Sequence, residues 1–302
     1  MRCPLLLLAP FCGILFSFQA KASEGQDELQ YKFKPGDSFR YENEYRTRVT
    51  VEGSALQFEF KYDADWTVTA VDANGKAKLT QKIGRVRLSG SVPQAEFRVE
   101  SKEAGQTPEV SDERGKPFLP FICAFTGCEI TMTVDRHGGV SDLTIPKKVL
   151  DGLKDLSIAP GTGETFATEG FRHFLRRPIQ PLPTGASAKG NTWNHTTEFR
   201  MNTGQMRIEA KYADEGAEKR DGKQLERISV KPTLTIGKGR IAPRVIIKSQ
   251  KGKGYFLFDR NAGRLVEYSL THDLEQEVPY GMATEIQPVH STWKIAQLER
   301  AK

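Results

Sequence analysis

The sequence predicts a mainly β protein: two related, long-stranded antiparallel sheets, each curved like half a barrel, joined by a short helical and proline-rich middle segment. Three observations point there. Apolar and aromatic residues alternate with polar ones over long runs, from Phe39 to Val51 and from Leu56 to Ala70, the mark of strands with one buried face. Short turn signals such as Glu52-Gly53-Ser54 and Asn74-Gly75 separate these runs. Helical spacing is confined to the middle of the chain. The expected organisation is a leader over 1–22, a first β half over 23–143, a connector over 144–187 and a second β half over 188–302.

The first 22 residues read as a signal peptide. Arg2 supplies a basic start, Leu5 to Phe18 is apolar but short for a bilayer span, and Ala20-Lys21-Ala22 is a small-residue cleavage signal. Cleavage near Ala22 would leave the mature chain periplasmic or extracellular, with no transmembrane span. The alternative is an uncleaved membrane anchor. A lipid anchor on Cys12 is disfavoured by the bulky Phe11 before it.

In the first half, the odd positions from Phe39 to Val51 are mostly apolar and the even ones polar; after the Gly53 turn, Leu56, Phe58, Phe60, Tyr62, Ala64, Trp66 and Val68 continue the stripe. The next strand carries Ala77, Leu79 and Ile83, then Val86 and Leu88. Its change of parity predicts a bulge at Gly84. Strands of thirteen to fifteen residues span roughly 45 Å. Such sheets twist and curl, and their apolar face must be covered by helices, by the other half or by a ligand. Tyr41, Tyr45, Phe58, Phe60, Tyr62 and Trp66 are therefore the candidates for lining a ligand.

Cys3 and Cys12 leave with the leader, so Cys123 and Cys128 remain, in FICAFTGCEI. With Phe125-Thr126 at a hairpin tip, the two would face each other within disulfide distance. Buried free thiols are the alternative. A metal site is disfavoured, because C-x4-C without a nearby His or Cys cluster lacks four ligands.

The connector carries two helical signals. Thr144 caps a helix with Pro146 in its first turn and Val149, Leu150, Leu153 and Leu156 on one face. A second helix from about Glu164 places Phe171, Phe174 and Leu175 together and ends at Arg176-Arg177, before the stiff run Pro178 to Pro183. The arginine pair reads as a complement to the helix dipole rather than as an anion site. In the second half, Trp193, His195, Thr197, Phe199 and Met201 alternate with polar residues, as do Val266, Tyr268, Leu270, His272 and Leu274. Gly36-Asp37-Ser38 matches Gly190-Asn191-Thr192, and the turn at Asp135 echoes the one at Asp259, so the second half reads as a degenerate copy of the first.

No nucleophile elbow, zinc-protease helix or P-loop is present, and Gly161-Thr162-Gly163-Glu164 lacks the Lys-Ser/Thr of a phosphate cradle. No cofactor is expected. The five histidines are scattered; His195 and His272 read as half-buried, hydrogen-bonded side chains, and Asp135 and Asp259 as acceptors for turn amides. Asn194-His195-Thr196 is a glycosylation sequon. The chain has 302 residues, with 44 Lys+Arg against 38 Asp+Glu and a net charge of +6. That excess is too small, and its Lys248 to Lys253 stretch too poor in aromatics, for a nucleic-acid partner. A chain of this length buries a core unaided, and 27% charged residues without low-complexity tracts exclude a disordered protein.

Four segments resemble domain-of-unknown-function family 6263, a group of uncharacterised secreted bacterial proteins. They are Leu29-Gln30-Tyr31-Lys32-Phe33-Lys34-Pro35-Gly36-Asp37; Phe118 to Leu143 with its Val-Asp-Arg-x-Gly-x-Val core; Gly170-Phe171 to Lys189-Gly190 with Pro181-Leu182-Pro183; and Gly254 to Val278 with Phe-Asp-x-x-x-Gly-Arg-Leu-Val. The resemblance spans most of residues 29–298 and implies a secreted β-rich fold. It carries no activity or site residue, and its pattern does not include Cys123 or Cys128. The expected function is a non-enzymatic envelope binder or carrier of an apolar ligand such as a lipid. The alternatives are a structural or protein-interaction module of the envelope with a self-filled core and, behind both, an extracellular hydrolase using His195 or His272.

Overall fold

The computed structural model describes residues 28–92, 95–154, 156, 168–201, 204–237, 245–280 and 283–299. The expected leader and its cleavage signal, the glycine pair at 161–163, the turn residues Asn202 and Thr203, and Lys238-Gly239-Arg240 lie outside the described residues.

Among the described residues, thirteen antiparallel strands form one sheet that does not close into a barrel. β1 (Ser38–Val51), β2 (Ser54–Val71), β3 (Ala77–Val92), β4 (Ala95–Ser101) and β5 (Glu109–Val110) step outward from the centre. β6 (Glu129–Val134) pairs with β3 and carries β7 (Val140–Thr144). After the connector the chain resumes at the opposite edge with β8 (Thr192–Met201). It returns to the centre through β9 (Gly204–Arg220), β10 (Lys223–Ile236), β11 (Ile246–Asp259), β12 (Arg264–Tyr280) and β13 (Ala283–Leu298). There β13 pairs with β1 from Arg40↔Leu298 to Val49↔Val289. The two expected halves are thus the flanks of one continuous sheet, seamed where the first and last strands meet.

Local chemistry explains the local geometry. Glu52 and Gly53 both take positive φ (49° and 74°), which turns β1 tightly into β2. The bulge falls where parity predicts it: Tyr62 pairs with Val86 and Ala64 with Ile83, so the register slips beside Gly84. The Asp135 carboxylate accepts hydrogen bonds from the amides of His137 and Gly139, and Asp259 from those of Asn261 and Ala262. The segment before β1 pins both turns. Tyr31 N–H donates to Arg136 O at 2.8 Å, and Lys32 N–H donates to Gly263 O at 3.0 Å. A Cβ on Gly138 would sit 2.3 Å from Gln180 O, and one on Gly263 would sit 2.4 Å from Lys32 N. The glycine in each echoing turn is what lets another strand of backbone lie against it.

One face of the sheet is mainly apolar, with a few buried polar residues such as Asn43, Thr47 and His272 among the rings and aliphatic chains. Tyr45 opposes Phe60 on one side and Trp293 on the other, and Trp293 opposes Leu270. Over the first flank this face is filled by three helices: α1 (Leu119–Phe125), α2 (Lys147–Lys154) and α3 (Thr168–Arg176). Phe121 and Phe125 of α1 and Phe174 of α3 pack against Phe60 at 5.7–5.9 Å between ring centres. Val149 and Leu153 of α2, and Phe171 and Leu175 of α3, are buried with them. The path of the chain explains this filling. The connector must travel from the end of β7, on the first flank, to β8 at the opposite edge, and α2 and α3 lie on the apolar face along the way.

One expectation is corrected here. FICAF is not a hairpin arm but helix α1, which leaves Cys123 exposed and Cys128 buried, both as free thiols. A helix followed by the turn at Gly127 aims the two side chains apart, whereas a hairpin would have set them opposite.

Candidate functional site

Over the second flank the apolar face is not filled. Helix α3 spans from the sheet centre, where Phe174 packs on Tyr45 at 6.1 Å, to the free edge strand β8, where His173 stacks on Phe199 at 4.9 Å. Between this helix and strands β8 to β13 lies a partly enclosed cavity of about 830 Å³, within the size range of small-molecule sites. Its floor is the alternating face of the strands, with Ile208, Val230, Leu270 and Leu274 among its residues. Gly138, Gly139 and Ile179 to Pro181 close its upper end. The Pro181 carbonyl accepts a hydrogen bond from the Trp193 indole N–H at 3.2 Å, which ties this closure to the edge strand.

Strand β11 shapes the floor. Gly252 and Gly254 face inward, and a Cβ on Gly252 would lie 2.6 Å from the Pro232 ring. Pro232 has no N–H for the ladder, and β10–β11 pairing ends at Val230↔Gly254. Beyond it the Gln250 side chain bridges the strands, accepting from Leu234 N–H and donating to Leu234 O, both at 2.7 Å. The Gln250 Oε1 atom also lies 3.2 Å from His272 Nε2.

The arginines and histidines of the lining come from α3, the residue after it, β8 and β12. The Arg177 guanidinium lies 4.2 Å over the Trp293 ring, and its Nη1 donates to Tyr268 Oη at 3.3 Å. Arg176, Arg177, His173, His195 and His272 all line the cavity. Burial, then the Arg177 and Arg176 charges, press the His173 pKa down to about 3. Burial also lowers His272, with Arg177 adding to the effect and Asp273 opposing it, and burial lowers His195. All three imidazoles are therefore neutral near pH 7. Among the described lining residues none is Asp or Glu. No group of three or more His, Cys, Asp or Glu that could hold a metal is found among the described residues.

The sequence-derived lining set divides sharply. Tyr45 borders the cavity. Tyr41, Phe60, Tyr62 and Trp66 are at most 2% exposed within the packed first-flank core. Phe58 is half-buried against Phe97 at 6.2 Å. These five are covered by the protein itself: rings of α1 and α3 pack on Phe60 and Tyr62, Trp66 packs on Phe39 and Tyr41, and Phe58 on Phe97. Alternation along β8 and β12 does place His195 and His272 on the inner face. Nothing local shows that they meet one cavity, or that Arg177 reaches Trp293 from another element.

No family model matches this chain, and no curated protein matches it. Among solved structures, one described as lipid–protein interactions in lipovitellin aligns with a TM-score of 0.45 and 11% identity, over 89% of this chain and 26% of that one. A DUF1329 family protein from Desulfovibrio piger ATCC 29098 aligns with a TM-score of 0.15 and 10% identity, over 86% of this chain and 85% of that one. The chain spans about a quarter of the lipovitellin chain that it matches. Likeness at this level carries no property from either protein to this one. No helix among the described residues is long and apolar enough to cross a membrane.

Proposed function

We propose that this protein is an exported, non-enzymatic binder or carrier of an apolar ligand, held between helix α3 and the inner face of β8 to β13. The observation that carries the reading is the cavity of about 830 Å³ on a sheet face whose other flank is fully packed. The aliphatic and aromatic part of the cavity lining forgoes dispersion contacts that an apolar ligand would supply. Export rests on the leader-like residues 1–22, and working outside the cytoplasm suits a protein that shields an oily molecule from water.

Extraction of the natively purified protein with organic solvent, followed by mass spectrometry, is the test, paired with uptake of an apolar fluorescent probe. Bound lipid and probe uptake are expected in the native protein. Ala210→Trp, which places a large ring on the cavity floor, is expected to reduce probe uptake at least tenfold. No extractable lipid, together with no probe uptake by the native protein, would transfer the function to the surface of a self-filled envelope module.

A further inference from the structure

We propose that the ligand is an amphiphile with an anionic head group, a carboxylate or phosphate on an apolar chain, with the head at Arg176 and Arg177 and the tail along β12. This inference rests on the cavity being a ligand site.

The first support is positive charge on the cavity wall. Several arginines of the sheet meet carboxylates: Arg40 with Asp63 at 3.0 Å, Arg207 with Glu198 at 2.9 Å, and Arg227 with Glu218 at 3.1 Å. The acid in the first turn of α3, Glu169, pairs with Arg172 at 3.3 Å, and its charge also reaches Arg176, whereas Arg177 has no ion pair with a carboxylate among the described residues. Arg176 and Arg177 border a cavity whose described lining contains no carboxylate. The Nε atoms of both are buried and make no hydrogen bond. Those edges are sealed from the cavity, so an anionic ligand would meet the guanidinium hydrogens that remain on the cavity side, where no described carboxylate competes for them.

The second support is preorganisation. Stacking on Trp293 and the bond to Tyr268 hold the plane of Arg177 in place before any ligand arrives. A planar fork so fixed suits two-oxygen recognition of an anion. The three cavity histidines are neutral near pH 7, so they add hydrogen-bonding capacity there without competing for the charge.

The third support is length. From Leu270 to Val278 the inward residues of β12 border the cavity, and the eight steps between these nine residues extend roughly 26 Å. One acyl chain crosses half of a hydrocarbon core of about 30 Å, or roughly 15 Å, so a single long chain fits along the floor. A free inorganic anion would leave that floor unoccupied.

The experiment compares palmitate, hexadecyl phosphate and hexadecanol as titrants of the full mature protein. Acetate and inorganic phosphate serve as the chainless anions, and native tryptophan fluorescence or calorimetry gives the affinities. At least one of the two long-chain anions is expected to bind more than about tenfold tighter than the alcohol, with the chainless anions weaker still. Which of the two binds tighter identifies the head group. Arg176→Gln and Arg177→Gln should each lower that anion-to-alcohol ratio, and the double variant should bring it close to one. Arg177→Lys, which keeps the charge, should retain part of the preference and guards against a folding artefact. Equal binding of anion and alcohol by the native protein overturns the head-group assignment and leaves the apolar-ligand reading intact. Binding of chainless anions as tight as palmitate overturns the amphiphile. Failure of every long-chain titrant to bind instead overturns the reading on which this inference rests.

Discussion

His173 provides a measurement of how dry the wall between the cavity and α3 is. Its imidazole stacks on Phe199 and sits beside Arg176 and Arg177, and its pKa lies near 3 in the folded protein against an ordinary 6.5. The folded value is below the unfolded one, so the unfolded chain binds more protons between these limits. Stability from this group is complete above about pH 6.5 and is lost as the pH falls below it. At about pH 5 nearly all unfolded molecules carry the proton and nearly no folded ones do, which costs about 2 kcal/mol relative to about pH 7.5. That figure is a ceiling, because the ring keeps part of its surface in water. Urea unfolding of the native protein and of His173→Phe at the two pH values isolates the effect. Phenylalanine keeps an aromatic ring against Phe199, and titration of other groups cancels in the comparison. The native protein should lose about 1–2 kcal/mol more than the variant. Parallel losses would refute the reasoning, since they would mean that His173 ionises as freely in the fold as outside it.

Three further outcomes follow from the packing. Gly263→Ala forces a Cβ onto positive φ and into the backbone of Lys32, and should destabilise by more than about 1 kcal/mol in denaturant melts. Phe171→Ala removes a fully buried ring that meets Phe121 and Phe125 edge to face, and should cost about 3–5 kcal/mol by the same assay. Alkylation of the native protein, mapped by peptide mass spectrometry, should modify exposed Cys123 rapidly and spare Cys128, whose thiol burial pushes up to about 12. Equal labelling of both cysteines would contradict the helix at Leu119–Phe125.

The elements whose signal is local were legible in advance. The β1–β2 hairpin, the bulge at Gly84 and the amide-binding carboxylates of Asp135 and Asp259 follow from parity and turn chemistry within a few residues. The apolar stripes that end in α2 and α3 likewise announced Val149, Leu153, Phe171 and Phe174 as core residues. The segment FICAF did not declare itself, because a short apolar run suits a helix or a strand equally. Its helical outcome depends on the aromatic shelf of Phe60 and Tyr62 against which Phe125 packs.

Side-chain period is a property of the chain alone. The alternation from Phe39 to Val68 and from Trp193 to Phe199 therefore determined a β protein with one apolar face, whichever strands came to be neighbours. Which part of that face stays open is a long-range matter. The helices pack on Phe60 and Tyr62 over the first flank, while Leu270, His272 and Arg177 border the cavity over the second. Only tertiary structure could decide that, because the contacts that close one flank and leave the other open join residues more than a hundred positions apart.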